Sequence, residues 1–577
     1  GGPWARRVVG GAVLVGLVYA PLAADAQVVE RVADISPGAG DSFPGDLTAV
    51  NGILFFTADD GTSGGELWKS DGTGPGTVLV ADINPGIDGS DPSNLTAVNG
   101  IVLFRADDAL LGAELWRSDG TLDGTARVKD INMGPDGSFI SNMTVMGNTV
   151  FFAASDGASG TELWRSGGTE PGTQQVADIN QSPGSGSSPG SLIVMANILF
   201  FAATDGLIGR ELWRSDGTSQ GTMLVKDIHP SGSSNPDGLT AVNGMVFFNA
   251  DDGVNGRALW KSDGTPGGTA LVKDVRPGGD DPNFSDLIAV NGTVFFTADD
   301  GVHGTELWKS DGTPGGTALV KDIVPGADNP AVSGLTAFNG LLFFAATGPT
   351  GRELWRSDGT EAGTVVVKDI APGAFASNPT ALTVLDGLLF FRAIDAAAGA
   401  ELWATDGTEA GTQVIADIRP GLLNSSPFNL SAVNGTLFFT ADDGVTGREL
   451  WKTTPLASPI PRLDLTLNQT SFGAGDTMIV TATLVPGVGP PAPVDAFIVL
   501  VLPDASVLSL RPDGSLVPGI QPIATGFVPG VFSGEAVHLV VPPGVPPAVL
   551  SWKAALVHAG TGTVIGPIDD EPFSIEP

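Results

Sequence analysis

One phrase recurs nine times at an almost constant interval, and it dictates the architecture. It reads Glu-Leu-Trp, then a basic residue in most copies, then Ser-Asp-Gly-Thr. Its tryptophans are Trp68, Trp116, Trp164, Trp213, Trp260, Trp308, Trp355, Trp403 and Trp451. They are 48, 48, 49, 47, 48, 47, 48 and 48 residues apart. A period this regular means stacked copies of one supersecondary unit rather than a single irregular core.

Within one repeat the residues read as four strands. Leu95-Thr96-Ala97-Val98 ends at Asn99-Gly100, a dipeptide that tolerates positive φ at both positions and so favours a tight hairpin. Ile101-Val102-Leu103-Phe104 follows as the second strand, and a loop containing Asp107-Asp108 leads to the third, Glu114 to Arg117. Asp119-Gly120-Thr121 turns the chain into the fourth, Ala126 to Ile131. Runs such as Ile53-Leu54-Phe55-Phe56 are apolar at consecutive positions. A sheet with one wet face would alternate, so these sheets are expected to lie between neighbours, as propeller blades do. The repeated tryptophans are then core residues.

The two ends of the repeat array are complementary. Val28 to Ile35 matches a fourth strand alone, and Leu430 to Trp451 supplies strands one to three. After the last tryptophan the Asp-Gly-Thr turn is replaced by Thr453-Thr454-Pro455. Pairing the ends completes a ninth blade and removes both open edges. The expected fold is all-β: a β-propeller of about nine four-stranded blades closed by the N-terminal strand, followed by a β-sandwich.

The octet Glu66-Leu67-Trp68-Lys69-Ser70-Asp71-Gly72-Thr73 resembles the bacterial ELWxxDGT repeat family, and is distantly similar to kelch blades. The resemblance covers residues 28 to 454. Ala258 replaces Glu in the fifth copy, Gly167 replaces Asp in the third, and the ninth lacks the turn. An exported bacterial propeller is what the resemblance implies; it implies no particular activity.

The flanks set the domain plan. Arg6 and Arg7, the apolar stretch from Val8 to about Ala23, and Ala24-Asp25-Ala26 read as a signal peptide over residues 1–26. The propeller is expected over 27–454, from a mature start at Gln27. A Pro-rich linker follows over 455–462, then a β-sandwich over 463–577 with Trp552 in its core, which resembles the immunoglobulin-like modules of exported bacterial proteins. Its strands are expected at 463–467, 478–482, 496–502, 506–510, 536–541 and 550–557. The location is secreted or cell-surface, with no membrane insertion after cleavage, and a monomer is expected.

Charge narrows the partners. Asp and Glu total 64 against 28 Lys and Arg, a formal net charge of -36. That field repels phosphate backbones, so nucleic acid is excluded and a protein or glycan partner expected. No cysteine is present, which removes thiolate chemistry and disulfides together.

Candidate ligating residues gather in the loops between strands two and three. They are the pairs Asp59 and Asp60, Asp251 and Asp252, Asp299 and Asp300, Asp442 and Asp443. Carboxylates of this kind suit calcium, the one candidate ion; the same Asp-Asp-Gly chemistry also makes tight turns. The Glu of each Glu-Leu-Trp is expected to cap a neighbouring loop. The histidines His229, His303, His538 and His558 show no metal-ligand spacing, and no nucleophile elbow or phosphate loop is present. The sequence therefore reads as a non-enzymatic binding scaffold, not an enzyme. The alternatives are a calcium-dependent structural surface protein and a carbohydrate-active enzyme.

Overall fold

The computed structural model describes residues 29–453, apart from Asp280 and Ala374, and the strands of the C-terminal segment between residues 462 and 575. The expected signal peptide 1–26, the start at Gln27 and linker residues 455–461 lie outside the described residues. Every described regular element is a β-strand. One compact unit comprises Val29–Leu385 and Leu389–Thr454. A second holds the C-terminal strands.

The larger unit is a succession of four-stranded antiparallel sheets, in the manner of a β-propeller. Its second sheet contains Ser93–Val98, Ile101–Asp107, Ala113–Ser118 and Ala126–Lys129. Asn51 and Gly52, at the first hairpin, have φ of 48° and 80°, the two positive values that a type I′ turn requires. Eight such sheets are continuous in sequence. A ninth joins Phe428–Val433, Thr436–Asp442 and Arg448–Thr453 to the N-terminal strand Val29–Arg31. Val29 pairs with Thr453, Glu30 with Lys452 and Arg31 with Trp451. First strands touch first strands from one sheet to the next, and Phe428–Val433 touches Gly45–Val50.

The consecutive apolar residues are explained by packing on both faces. Leu103, Leu115 and Val128 of the second sheet face Val150, Phe152 and Trp164 of the third in one buried cluster. The same arrangement recurs where the chain ends meet. There Val32, Ile35, Val433 and Leu450 pack with Leu54, Phe56 and Trp68 of the first sheet. Phe296 and Trp308 lie 6.5 Å apart and stacked, as do Phe344 and Trp355 at 6.4 Å.

Two recurring residues of the repeat turn out to be ties between sheets. The hairpin asparagine reaches the next hairpin: Asn99 Nδ2 donates to Asn148 O at 2.9 Å, and Asn291 Nδ2 to Gly340 O at 2.8 Å. Asn434 makes the corresponding bond to Gly52 O at 3.5 Å. The basic residue after Trp reaches the glycine carbonyl of the next Ser-Asp-Gly-Thr turn. Lys69 does so at 2.7 Å, Arg165 at 2.9 Å and Arg356 at 2.7 Å. The eighth copy carries Ala404 instead. The ninth sheet, its neighbour, is the one whose Asp-Gly-Thr turn is replaced, so a base at 404 would have no such carbonyl to reach.

The second unit contains two sheets. Arg462–Leu467, Thr477–Val485 and Phe532–Val540 form a three-stranded one. The other runs in the order Ser471–Phe472, Val564–Ile575, Ala548–His558, Val494–Val501, Val507–Leu510, Leu516–Pro518, with Ala524–Phe527 also paired to Val494–Val501. Trp552 is 1% exposed. The strand Val564–Ile575 escapes sequence reading because Gly566, Pro567 and Pro572 look like breakers.

Candidate functional site

Strand direction puts the two-to-three loops and the sheet-to-sheet connections at the same end of the larger unit. The Glu of Glu-Leu-Trp ties them together there. Glu66 is fully buried, and it accepts the N–H groups of Ile83, Asn84 and Ser90 at 3.1, 3.1 and 2.9 Å. It also accepts the Ser90 hydroxyl at 2.5 Å. Eight such glutamates are fully buried, and each holds the connection that leaves its own sheet. This is a capping role, as expected from the sequence.

The eight candidate aspartates stand on four separate loops. The first of each pair accepts the N–H two residues on: Asp59 from Gly61, Asp251 from Gly253, Asp299 from Gly301 and Asp442 from Gly444, at 2.6 to 2.7 Å. The second accepts the next two N–H groups. Asp60 takes Thr62 and Ser63 at 2.8 and 2.7 Å, and Asp252 takes Val254 and Asn255 at 2.9 and 2.7 Å. Asp300 and Asp443 repeat the pattern with Val302 and His303, and with Val445 and Thr446. Burial opposes ionisation of Asp60, Asp252, Asp300 and Asp443, but these hydrogen bonds outweigh it and hold the carboxyls below the usual range. The remaining oxygens of Asp299 and Asp442 pair with Arg276 and Arg419 at 2.6 and 2.7 Å.

Among the described residues no three His, Cys, Asp or Glu side chains gather as a metal site. With these carboxylates taken up by their own turns and, at Asp299 and Asp442, by an arginine as well, unfolding temperatures in calcium and in chelator are expected to coincide at fixed ionic strength. A calcium-specific gain of about 2.7 kcal/mol per site at hundredfold excess would instead identify these loops as ion sites. His303 Nδ1 lies 2.8 Å from Asp300 Oδ2, and His229 stands in a different loop.

A pocket of about 470 Å³ opens at the same end, where the first strands of sheets eight, nine and one begin. Arg392 and Arg448 line it, with Phe43 and Phe428 beside them and hydroxyls from Thr380, Ser426 and Thr440. No carboxylate lines it. Arg448 Nη1 donates to Ser426 O at 3.0 Å and to Thr440 Oγ1 at 3.2 Å. Among the described residues the Arg392 side chain has no hydrogen bond or ion pair, while its backbone pairs opposite Leu402. Burial, and then the neighbouring Arg448 guanidinium, disfavour its charge. Phe43 and Phe428 are 63% and 55% exposed. Phe43 has a φ of 45°, the left-handed conformation that this position adopts in every repeat, as at Asp91 (44°), Phe139 (54°) and Ser426 (47°).

The sequence departs from the repeat at Arg392, but nothing in it alone joins that residue to Arg448 or to the two phenylalanines. A usable signal exists: arginine in the second strand of one repeat, followed by arginine opening the third strand of the next. Arg105 occupies the same strand position as Arg392, but Thr161 opens the corresponding strand after it.

No protein-family model matches the chain, and no curated protein does. Among solved structures it resembles a prolyl endopeptidase at 13% identity and TM-score 0.34, over 60% of this chain and 54% of that one. A puromycin-hydrolyzing peptidase of Mycobacterium tuberculosis matches at 11% and 0.33, over 65% and 61%. Prolyl oligopeptidase B from Galerina marginata matches at 11% and 0.34, over 78% and 55%. The chain thus spans between half and two thirds of their lengths. Likeness at this level brings no catalytic residue or substrate to this chain. The reading of the chain as a non-enzymatic scaffold and as no enzyme is not retained, since the three structures named here are peptidases.

Proposed function

We propose that this chain is an exported propeller of the ELWxxDGT type, whose working site is the Arg392–Arg448 pocket and whose task there is to hold an anionic group. Two guanidiniums face one pocket without a carboxylate partner, in a chain of net charge -36. That observation carries the reading. Guanidiniums with no carboxylate beside them keep donors for a ligand, and arginine forks match oxyanions geometrically.

The finer architecture belongs to the same proposal. Nine blades close through the N-terminal strand, and an immunoglobulin-like sandwich follows as a spacer or attachment unit. Support comes from the Val29–Thr453 pairing, the Asn434–Gly52 tie and the Ala404 departure. For export the support is the sequence of residues 1–26. No helix among the described residues is long and apolar enough to cross a membrane.

Calorimetric titration of residues 27–577 with inorganic phosphate and with acetate tests the site. Saturable binding that Arg392→Ala abolishes without lowering the unfolding temperature is expected. No binding by the intact chain would reject the site. Product analysis of the same samples reads any turnover.

A further inference from the structure

The composition of the pocket says more than "anion". We infer that its ligand is a uronic-acid sugar, carried in a glycan whose neighbouring residues are neutral; this rests on the anion-site reading above. A uronate combines three chemistries in one ring: a carboxylate, hydroxyl groups and an apolar face of C–H bonds. The pocket offers a partner for each.

The carboxylate would meet Arg392 and Arg448. Arg392 is the freer of the two, since Arg448 already donates to Ser426 O and Thr440 Oγ1. A planar guanidinium fork can take both oxygens of a carboxylate. The sugar hydroxyls would meet Thr380, Ser426 and the amide of Asn429. Asn429 Nδ2 is committed to Pro44 O at 3.0 Å, which fixes the amide and leaves its oxygen as the acceptor. An acceptor among the donors suits a hydroxylated ligand and disfavours a bare phosphate, which carries few protons to donate.

Phe43 and Phe428 supply the third element. Both are aromatic rings left open to solvent at the pocket. An exposed apolar ring gains when a ligand covers it and removes it from water. A C–H face is such a cover; a small inorganic ion is not. The pocket's size, about 470 Å³, falls in the ordinary range for small-molecule sites.

The protein's field sets the context of the sugar. At a net charge of -36 a run of adjacent uronates would be repelled everywhere except at the pocket. Single uronates spaced by neutral sugars keep the local attraction and avoid most of that repulsion.

The test uses residues 27–577 and four probes in calorimetry. They are a disaccharide of one uronate and one neutral sugar, its methyl ester, inorganic phosphate, and a short peptide ending in a free carboxylate. The acidic disaccharide is expected to bind, with a loss of about tenfold or more on esterification or in Arg392→Ala. Phe428→Ala should weaken the disaccharide and leave phosphate binding unchanged. Unfolding temperatures of both variants control for folding. If phosphate or the peptide binds through Arg392 and the disaccharide does not, the sugar assignment falls while the anion site stands. If no probe binds, both fall. If a polyuronate binds more tightly than the mixed disaccharide at equal uronate concentration, the spacing argument is wrong.

Discussion

Glu162→Ala is expected to cost about 3–5 kcal/mol of unfolding free energy, although it lies outside any proposed ligand site. Glu162 is fully buried. Its two oxygens take the N–H groups of Ile179, Asn180 and Ser187 at 3.1, 3.2 and 2.8 Å, and the Ser187 hydroxyl at 2.6 Å. Truncation leaves four donors without their acceptor, and buried donors cost about 1–3 kcal/mol each when no water can reach them. The fifth sheet shows how the chain manages without this residue. There Ala258 replaces the Glu, and Pro282 stands where Ser187 does, its carbonyl accepting from Asp299 as Ser187 accepts from Thr204. Proline has neither the N–H nor the hydroxyl, so two of the four donors disappear with the acceptor. The double variant Glu162→Ala/Ser187→Pro should therefore lose less than Glu162→Ala alone, a coupling that a double-mutant cycle reads directly. Denaturant titration followed by tryptophan fluorescence is the measurement. A single variant within about 0.5 kcal/mol of the parent would remove the glutamates from their keystone role.

Much of the scaffold was legible because its determinants lie within one repeat. The hairpin needs only Asn-Gly, and the strand needs only its own apolar run. The orphan strand at Val29 could be matched to Trp451 because both carry repeat phrases. Ties between sheets were harder to see. Asn99 to Asn148 and Lys69 to Gly120 join positions about one period apart, where a repeat's own pattern says nothing about contact. The pocket was illegible for a stronger reason. Phe43 and Phe428 share it only because the first strands of the first and ninth sheets touch, and Arg392 and Arg448 occupy different strand positions in successive repeats. The acidic loops attracted notice by composition, yet their carboxylates bond to their own turns.

From pH 5 to pH 8 the chain is expected to lose stability, and Pro330→Ser is expected to restore part of it at the alkaline end. Glu306 is the buried glutamate whose connection lacks the usual serine. Its Oε1 accepts Ile323 and Val324 N–H groups at 3.0 and 3.3 Å, while its buried Oε2 has no partner. Pro330 fills the serine position, with its carbonyl accepting from Thr347 at 2.7 Å. Burial first, with the negative charge of Asp322 adding to it, pushes the Glu306 carboxyl up to about 7 from 4.5. Burial likewise raises Glu114 to about 7. The folded state thus holds a proton that the unfolded chain has released. The favourable term is fully present below about pH 4.5 and is lost as pH rises through about 7. For a rise of roughly 2.5 units the loss is about 3 kcal/mol for one group. Serine at 330 would return an N–H and a hydroxyl to Glu306 and lower its folded pKa. The variant should match the parent near pH 5 and exceed it by about 1–2 kcal/mol at pH 8. His303 beside Asp300 titrates with the same sign, because its hydrogen bond to Asp300 raises its pKa. Making the comparison in a His303→Gln background removes that contribution. The loop aspartates have lowered pKa values and act below the acid end of this window. Denaturation midpoints at pH 5, 6, 7 and 8 decide the matter. A parent-to-variant difference that stays constant across them would mean that Glu306 does not carry the unmet charge.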